Sequence, residues 1–119
     1  MNIFYYLKSC STCIRIIKTL NLPEDVALRE IKSNPITESE LEKLKDLAGS
    51  FEALFSKRAQ LYKSQGLKDK KLTEVDFKTY ILKHYTFLKR PVLVYNGNIF
   101  IGNTSKTVDA AKVYIHLNE

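Results

Sequence analysis

The sequence is short of long apolar runs. Nothing in its 119 residues approaches the ~18 consecutive apolar positions that a membrane-spanning helix requires. Its N-terminal stretch has neither the extended apolar segment nor the small-residue cleavage site of a signal peptide, so a cytoplasmic location is the expectation. Internal repeats, low-complexity segments and linkers are missing, and the length suits one domain over residues 1–119. There is no basic stripe interleaved with stacking aromatics, so direct nucleic-acid binding is not expected. Cysteine is scarce, with two in the chain. In the cytoplasm both are expected to be reduced, and any disulfide between them transient. Ligands for a structural zinc ion are also lacking, because His84 and His116 lie far along the chain without the spacing of a zinc pair. No metal is expected.

What is present begins with charge. Nineteen Lys and Arg against 13 Asp and Glu give a net charge of +6. Such a balance suits an anionic partner: an oxyanion, glutathione, nucleic acid or an acidic protein surface. It also suits a solvated lysine-rich surface, which the scatter of lysines among acids favours. The densest cluster, Lys68-Asp69-Lys70-Lys71, reads as a loop between helices.

Both cysteines sit in Ser9-Cys10-Ser11-Thr12-Cys13, between the apolar run Ile3–Leu7 and the helix-compatible run Ile14–Leu20. Cys10 is thereby placed where a strand gives way to a helix. Free N–H groups and the helix dipole there favour negative charge, and a thiol in that position shifts toward thiolate, the form that attacks. Two inert core thiols and half of a zinc site are the competing readings; a redox pair is favoured over both. Cys10 is the better nucleophile, and Cys13, one turn inside, is usable as a resolving thiol.

Asn2–Leu7 reads as a buried strand, and the first helix runs from Ser11 or Thr12 to Leu20 with Ile14, Ile17 and Leu20 inward. Pro23 follows the helix end, and Val26–Ile31 is a second strand, completing a βαβ unit whose strands are expected to be parallel. Thr37 and Glu40 have the spacing of a capping box, with Leu41, Leu44, Leu47 and Ala48 as the apolar stripe and Gly49 as the stop. Shorter helical pieces follow around Phe51–Phe55 and Ala59–Ser64. Thr73 and Asp76 then open a helix carrying Val75, Phe77, Tyr80, Ile81 and Tyr85. His84 at its end reads as a capping or packing residue. Val92–Tyr95 and Ile99–Ile101 flank Asn96-Gly97-Asn98, a strong hairpin signal. Thr107–Leu117 is the last helix, with Val108, Ala111, Val113 and Ile115 inward.

The expected architecture is α/β: a four-stranded mixed sheet of thioredoxin type, with a helical insertion over about residues 37–86 between the second strand and the C-terminal hairpin. With that order, the segment Tyr5–Cys13, the run Phe55-Ser56-Lys57-Arg58-Ala59 and the run Leu88-Lys89-Arg90-Pro91 before the hairpin, the chain resembles the arsenate reductase (ArsC) family. That family also contains the Spx regulators.

The resemblance implies a role for each motif. Cys10 falls on the family's nucleophile, which in arsenate reductases attacks arsenate. Cys13 falls on the second cysteine of the C-x-x-C branch, as in Spx. Arg90 matches the arginine that faces the nucleophile, where its charge holds an anion and lowers the thiol pKa. Pro91 matches the cis-proline beside the active site. Arg58 lies two residues beyond Ser56, the direct counterpart of the insertion arginine, and where the Spx-like branch has its own. Gly102-Asn103 also resembles that branch. Ser11 and Thr12 either donate hydrogen bonds to the thiolate or cap the helix, and would line the anion site.

The implied activity is that of a thiol–disulfide oxidoreductase, arsenate reductase-like, acting on a small oxyanion or a disulfide. No bound cofactor is implied; glutathione, glutaredoxin or thioredoxin would supply electrons. The alternative is an Spx-like redox-sensing regulator that binds RNA polymerase and uses the same cysteines as a switch.

Overall fold

A computed structural model of the chain describes residues 1–118. In chain order the elements are β1 (Ile3–Tyr6), α1 (Ser11–Leu20), β2 (Ala27–Glu30), α2 (Glu38–Ala48), α3 (Gln60–Ser64), α4 (Glu74–Lys83), β3 (Val92–Tyr95), β4 (Asn98–Ile101) and α5 (Ser105–Leu117). Short 3-10 turns lie at Glu52–Leu54, Leu67–Asp69 and Tyr85–Phe87. Two compact units result: residues 1–34 together with 90–118, and Pro35–Lys89.

The first unit holds a four-stranded mixed sheet in the order β2-β1-β3-β4. β1 and β2 are parallel, with Ile3 opposite Ala27 and Tyr6 opposite Glu30, while β1–β3 and β3–β4 are antiparallel. The parallel pair and the hairpin are as the sequence pattern predicts. Asn96 and Gly97 form the two-residue hairpin turn with φ of 46° and 84°. Positive φ at both positions is what a type I′ turn demands, and it matches the twist of the strands it joins.

One face of the sheet presents Phe4, Leu93 and Tyr95 to Ile16 and Leu20 of α1, Val26, and Ala111 and Ile115 of α5. Burying each large aliphatic or aromatic side chain contributes about 1.5–3 kcal/mol relative to leaving it exposed. The inward stripe of α1 is Cys13, Ile16 and Leu20, not the expected Ile14, Ile17 and Leu20. Spacings of three and four from Cys13 define that stripe, and the thiol takes the place of a small hydrophobe. Ile14 and Ile17 are half-buried on the adjoining row. In α5, Ala111 and Ile115 are buried and Val113 is exposed, against expectation, since two helical positions from either turn it to the far side.

The second unit is helical. Both capping boxes form. Thr37 Oγ1 accepts the Glu40 N–H at 3.1 Å and the Glu40 carboxylate accepts the Thr37 N–H at 3.1 Å. Thr73 and Asp76 repeat the exchange at the start of α4. Gly49, at φ 96°, ends α2 by donating its N–H to the Lys45 carbonyl. Leu41 and Leu44 face inward; Leu47 and Val75, expected on apolar stripes, are exposed. An aromatic cluster forms the centre of this unit: Phe55 stacks on Phe87 at 5.3 Å and meets Phe77 at 4.8 Å. Phe55 also pairs with Leu88 in an antiparallel bridge, and the Ser56 N–H donates to the Phe87 carbonyl at 2.7 Å. His84 caps the last 3-10 turn, its Nδ1 accepting the Thr86 N–H at 3.1 Å, and stacks on Tyr85. Among the described residues no helix is long and apolar enough to cross a membrane.

Candidate active site

β1 ends at Tyr6, and the chain turns over Leu7–Cys10, where the Cys10 N–H donates to the Leu7 carbonyl at 3.1 Å. Cys10 then serves as the N-cap of α1. Its backbone is extended (φ −91°, ψ 104°), its carbonyl accepts the Ile14 N–H at 3.2 Å, and its Sγ accepts the Cys13 N–H at 3.4 Å. The sulfur therefore takes the place usually held by a Ser, Thr, Asp or Asn oxygen. Neither Ser11 nor Thr12 caps the helix, because Cys10 already does. Thr12 contributes its backbone N–H toward the Cys10 sulfur instead. Ser11, the first residue of α1, is exposed.

The two thiols differ sharply in environment. Cys10 is partly exposed, whereas Cys13 is fully buried at 0% exposure and has no direct path to solvent. Both are free thiols. Partial burial is the largest single influence on Cys10 and disfavours the thiolate. Hydrogen bonds from the Cys13 backbone and thiol, the Arg90 charge and the Thr12 N–H together outweigh it, and the thiol is held below its ordinary pKa. Burial pushes Cys13 the other way, up to about 11, and proximity to Cys10 adds to the rise, while the Leu7 backbone and Arg90 oppose it. One sulfur is thus prepared to ionise and the other to stay protonated and donate.

Arg90 and Pro91 reach this end of the sheet just ahead of β3. The peptide bond between them is cis, and the Pro91 carbonyl accepts the Gly102 N–H at 2.8 Å. Arg90 acts electrostatically on both cysteines. Arg58 belongs to the second unit, just before α3. Among the described residues no group of three or more His, Cys, Asp or Glu side chains is arranged to hold a metal ion.

The sequence pattern did not single out Glu30. Its carboxylate accepts the backbone N–H of Lys8, two residues before Cys10, at 2.9 Å. The available signal was the parallel pairing of β1 with β2, which sets the end of β2 beside the loop that follows β1.

A four-stranded mixed sheet of this order flanked by helices, with the C-x-x-C segment at its first strand–helix junction, defines a thioredoxin-like fold. The sequence profile of the ArsC family matches residues 5–111. The chain belongs to the ArsC family. Solved structures agree. One described as a possible arsenate reductase from Streptococcus mutans is 30% identical, with a TM-score of 0.68, over 92% of this chain and 98% of its own. An arsenate reductase from Vibrio cholerae superposes with a TM-score of 0.76 at 20% identity, over 96% of each chain. An arsenate reductase (ArsC) related protein from Brucella melitensis does so with a TM-score of 0.68 at 16% identity, over 92% of each. At 20% and 16% identity the last two speak for the fold alone. Among curated proteins none matches the chain.

Proposed function

We propose that this protein is an ArsC-type thiol–disulfide oxidoreductase in which Cys10 is the nucleophile and Cys13 the resolving thiol. The observation that carries the reading is the contrast between the two sulfurs: Cys10, capping α1 and partly exposed, is shifted toward thiolate, while Cys13, fully buried, is shifted toward thiol. With a disulfide R–S–S–R′ as substrate, the Cys10 thiolate attacks one sulfur, the S–S bond breaks and R′S⁻ leaves with its electron pair. Cys13 passes its proton to the released R′S⁻, its sulfur attacks the Cys10 sulfur, and RS⁻ leaves as the Cys10–Cys13 disulfide forms. The substrate gains two electrons and the protein loses two. Glutathione, glutaredoxin or thioredoxin returns them, a cycle that suits a reducing cytoplasm.

Arg90 supports the reading by drawing an anion to the attacking sulfur and stabilising its thiolate. Arsenate is the oxyanion that the name of the 30%-identical Streptococcus mutans relative suggests. Arg58, Ser11, Thr12 and Pro91 enter as anion-site residues through the family resemblance. The RNA polymerase alternative finds no support among the comparisons.

The test is a coupled assay that follows consumption of the reductant, with arsenate and with glutathione mixed disulfides, in wild type, Cys10→Ser and Arg58→Ala. Turnover with either substrate that vanishes in Cys10→Ser supports the reading. Equal activity in wild type and Cys10→Ser, or none with any substrate, contradicts it.

A further inference from the structure

Glu30 is the last residue of β2, paired with Tyr6 at the end of β1. The Ile31 N–H donates to the Tyr6 carbonyl at 3.0 Å and closes the backbone ladder between the two strands. The next inward donor on the β1 side is the Lys8 N–H, and it goes to the Glu30 side chain: Oε2 accepts it at 2.9 Å. The other carboxylate oxygen, Oε1, accepts the Lys32 N–H at 3.0 Å, the Ser33 N–H at 2.8 Å and the Ser33 hydroxyl at 2.9 Å. One carboxylate thus ties the loop after β2 to the loop after β1. Lys8 is the second residue of the turn Leu7–Cys10, which ends on the cysteine that caps α1.

We propose that Glu30 is a positioning residue for Cys10, anchoring through the Lys8 N–H the turn that sets the Cys10 sulfur against the first N–H groups of α1. The inference rests on the reading of Cys10 as the reacting thiol and assigns that thiol a support outside the C-x-x-C segment. A hydrogen bond from a backbone N–H to an ionised carboxylate is about twice as strong as one between neutral groups. The Lys8 N–H is the largest influence holding Glu30 down at about 2, so the carboxylate is ionised throughout the neutral range.

Charge and position pull in opposite directions, which makes the role testable. A carboxylate acting on Cys10 only through its charge would raise the thiol pKa, so neutralising it would lower that pKa or leave it unchanged. A carboxylate that positions the sulfur lowers the pKa, and removing it raises the pKa.

The experiment measures the Cys10 thiolate by ultraviolet absorbance against pH, and its alkylation by iodoacetamide, in the full chain. Wild type, Cys10→Ser, Glu30→Gln and Glu30→Asp are compared, with folding checked by circular dichroism. Glu30→Gln keeps the side-chain length but trades an acceptor oxygen for a donor. Glu30→Asp keeps the charge and withdraws it by about 1.5 Å. Both should raise the Cys10 pKa and slow alkylation near neutral pH about threefold or more, as the thiolate fraction falls. In a Lys8→Pro background the N–H is gone, and proline suits the second position of a turn with no positive φ at Lys8 or Ser9. Glu30→Gln should have no further effect there. A wild-type Cys10 pKa at or above the free-thiol value overturns the thiol reading and this inference together. A depressed wild-type value that both Glu30 variants leave in place or lower overturns this inference alone, as does an equal rise in the Lys8→Pro background.

Discussion

Cys10 Sγ accepts the backbone N–H of Cys13 at 3.4 Å, so the second cysteine of the pair supports the sulfur of the first. The same spacing that brings the two sulfurs within a helical turn also makes Cys10 the helix cap. A thiolate on Cys10 gains from that N–H, from the Cys13 thiol and from Arg90, while Cys13 behind it is disfavoured as a thiolate first by burial and then by its charged neighbour.

Selective alkylation follows from this asymmetry. Near neutral pH, iodoacetamide should label Cys10 and leave Cys13 unmodified, and the rate should climb with pH through a midpoint below that of a free thiol. In Cys10→Ser, Cys13 loses the neighbouring charge, but burial, the largest cause of its raised pKa, remains. Peptide mass mapping of that variant should show essentially no label at neutral pH; rapid labelling of Cys13 there would contradict the burial argument.

Arg90 contributes to Cys10 through its charge. Arg90→Ala should raise the Cys10 pKa and slow alkylation near neutral pH by about threefold, and Arg90→Lys should recover part of the rate because a point charge remains without the planar fork. Identical rates in all three proteins would remove Arg90 from the account of the thiol.

Acid stability reports on Glu30. Its folded pKa, about 2, lies below the ordinary 4.5, so its contribution to stability is fully present above the ordinary value and is lost as pH falls toward 2. Thermal unfolding followed from pH 5 to pH 2 should therefore fall less steeply in Glu30→Gln than in wild type. Parallel curves would show that the carboxylate is equally stabilised in the unfolded chain.

The insertion unit offers a graded stability test. Thr37→Ala and Thr73→Ala each remove a cap hydrogen bond and should each cost about 1 kcal/mol in urea unfolding. Phe55→Ala opens the centre of the aromatic cluster and should cost about 3–5 kcal/mol. A cap variant as damaging as Phe55→Ala would contradict the packing described for Pro35–Lys89.

What the sequence made legible was local. The capping boxes at Thr37 and Thr73, the hairpin turn at Asn96-Gly97 and the strand–helix junction at Cys10 all depend on residues within four positions of one another, and each formed as its spacing predicts. Faces of helices were less legible. Cys13 counts as core in α1 although its thiol suggests chemistry, and Val113 and Val75 are apolar yet exposed because burial depends on what packs against a helix, not on its own periodicity. The support of the candidate site was not legible at all. Glu30 reads as a surface acid at a strand end, and only the parallel register of β2 against β1 carries its carboxylate to the Lys8 N–H, 22 residues away.

The most direct test of the paired-thiol reading is intact mass measurement after reaction with a glutathione-capped peptide disulfide. The wild-type chain should emerge without an adduct and lighter by two hydrogens, as a Cys10–Cys13 disulfide. Cys13→Ser should accumulate a mixed disulfide on Cys10, and Cys10→Ser should remain unmodified. An adduct on Cys10→Ser, or a wild-type chain that retains the adduct as Cys13→Ser does, would contradict the assignment of nucleophile and resolving thiol.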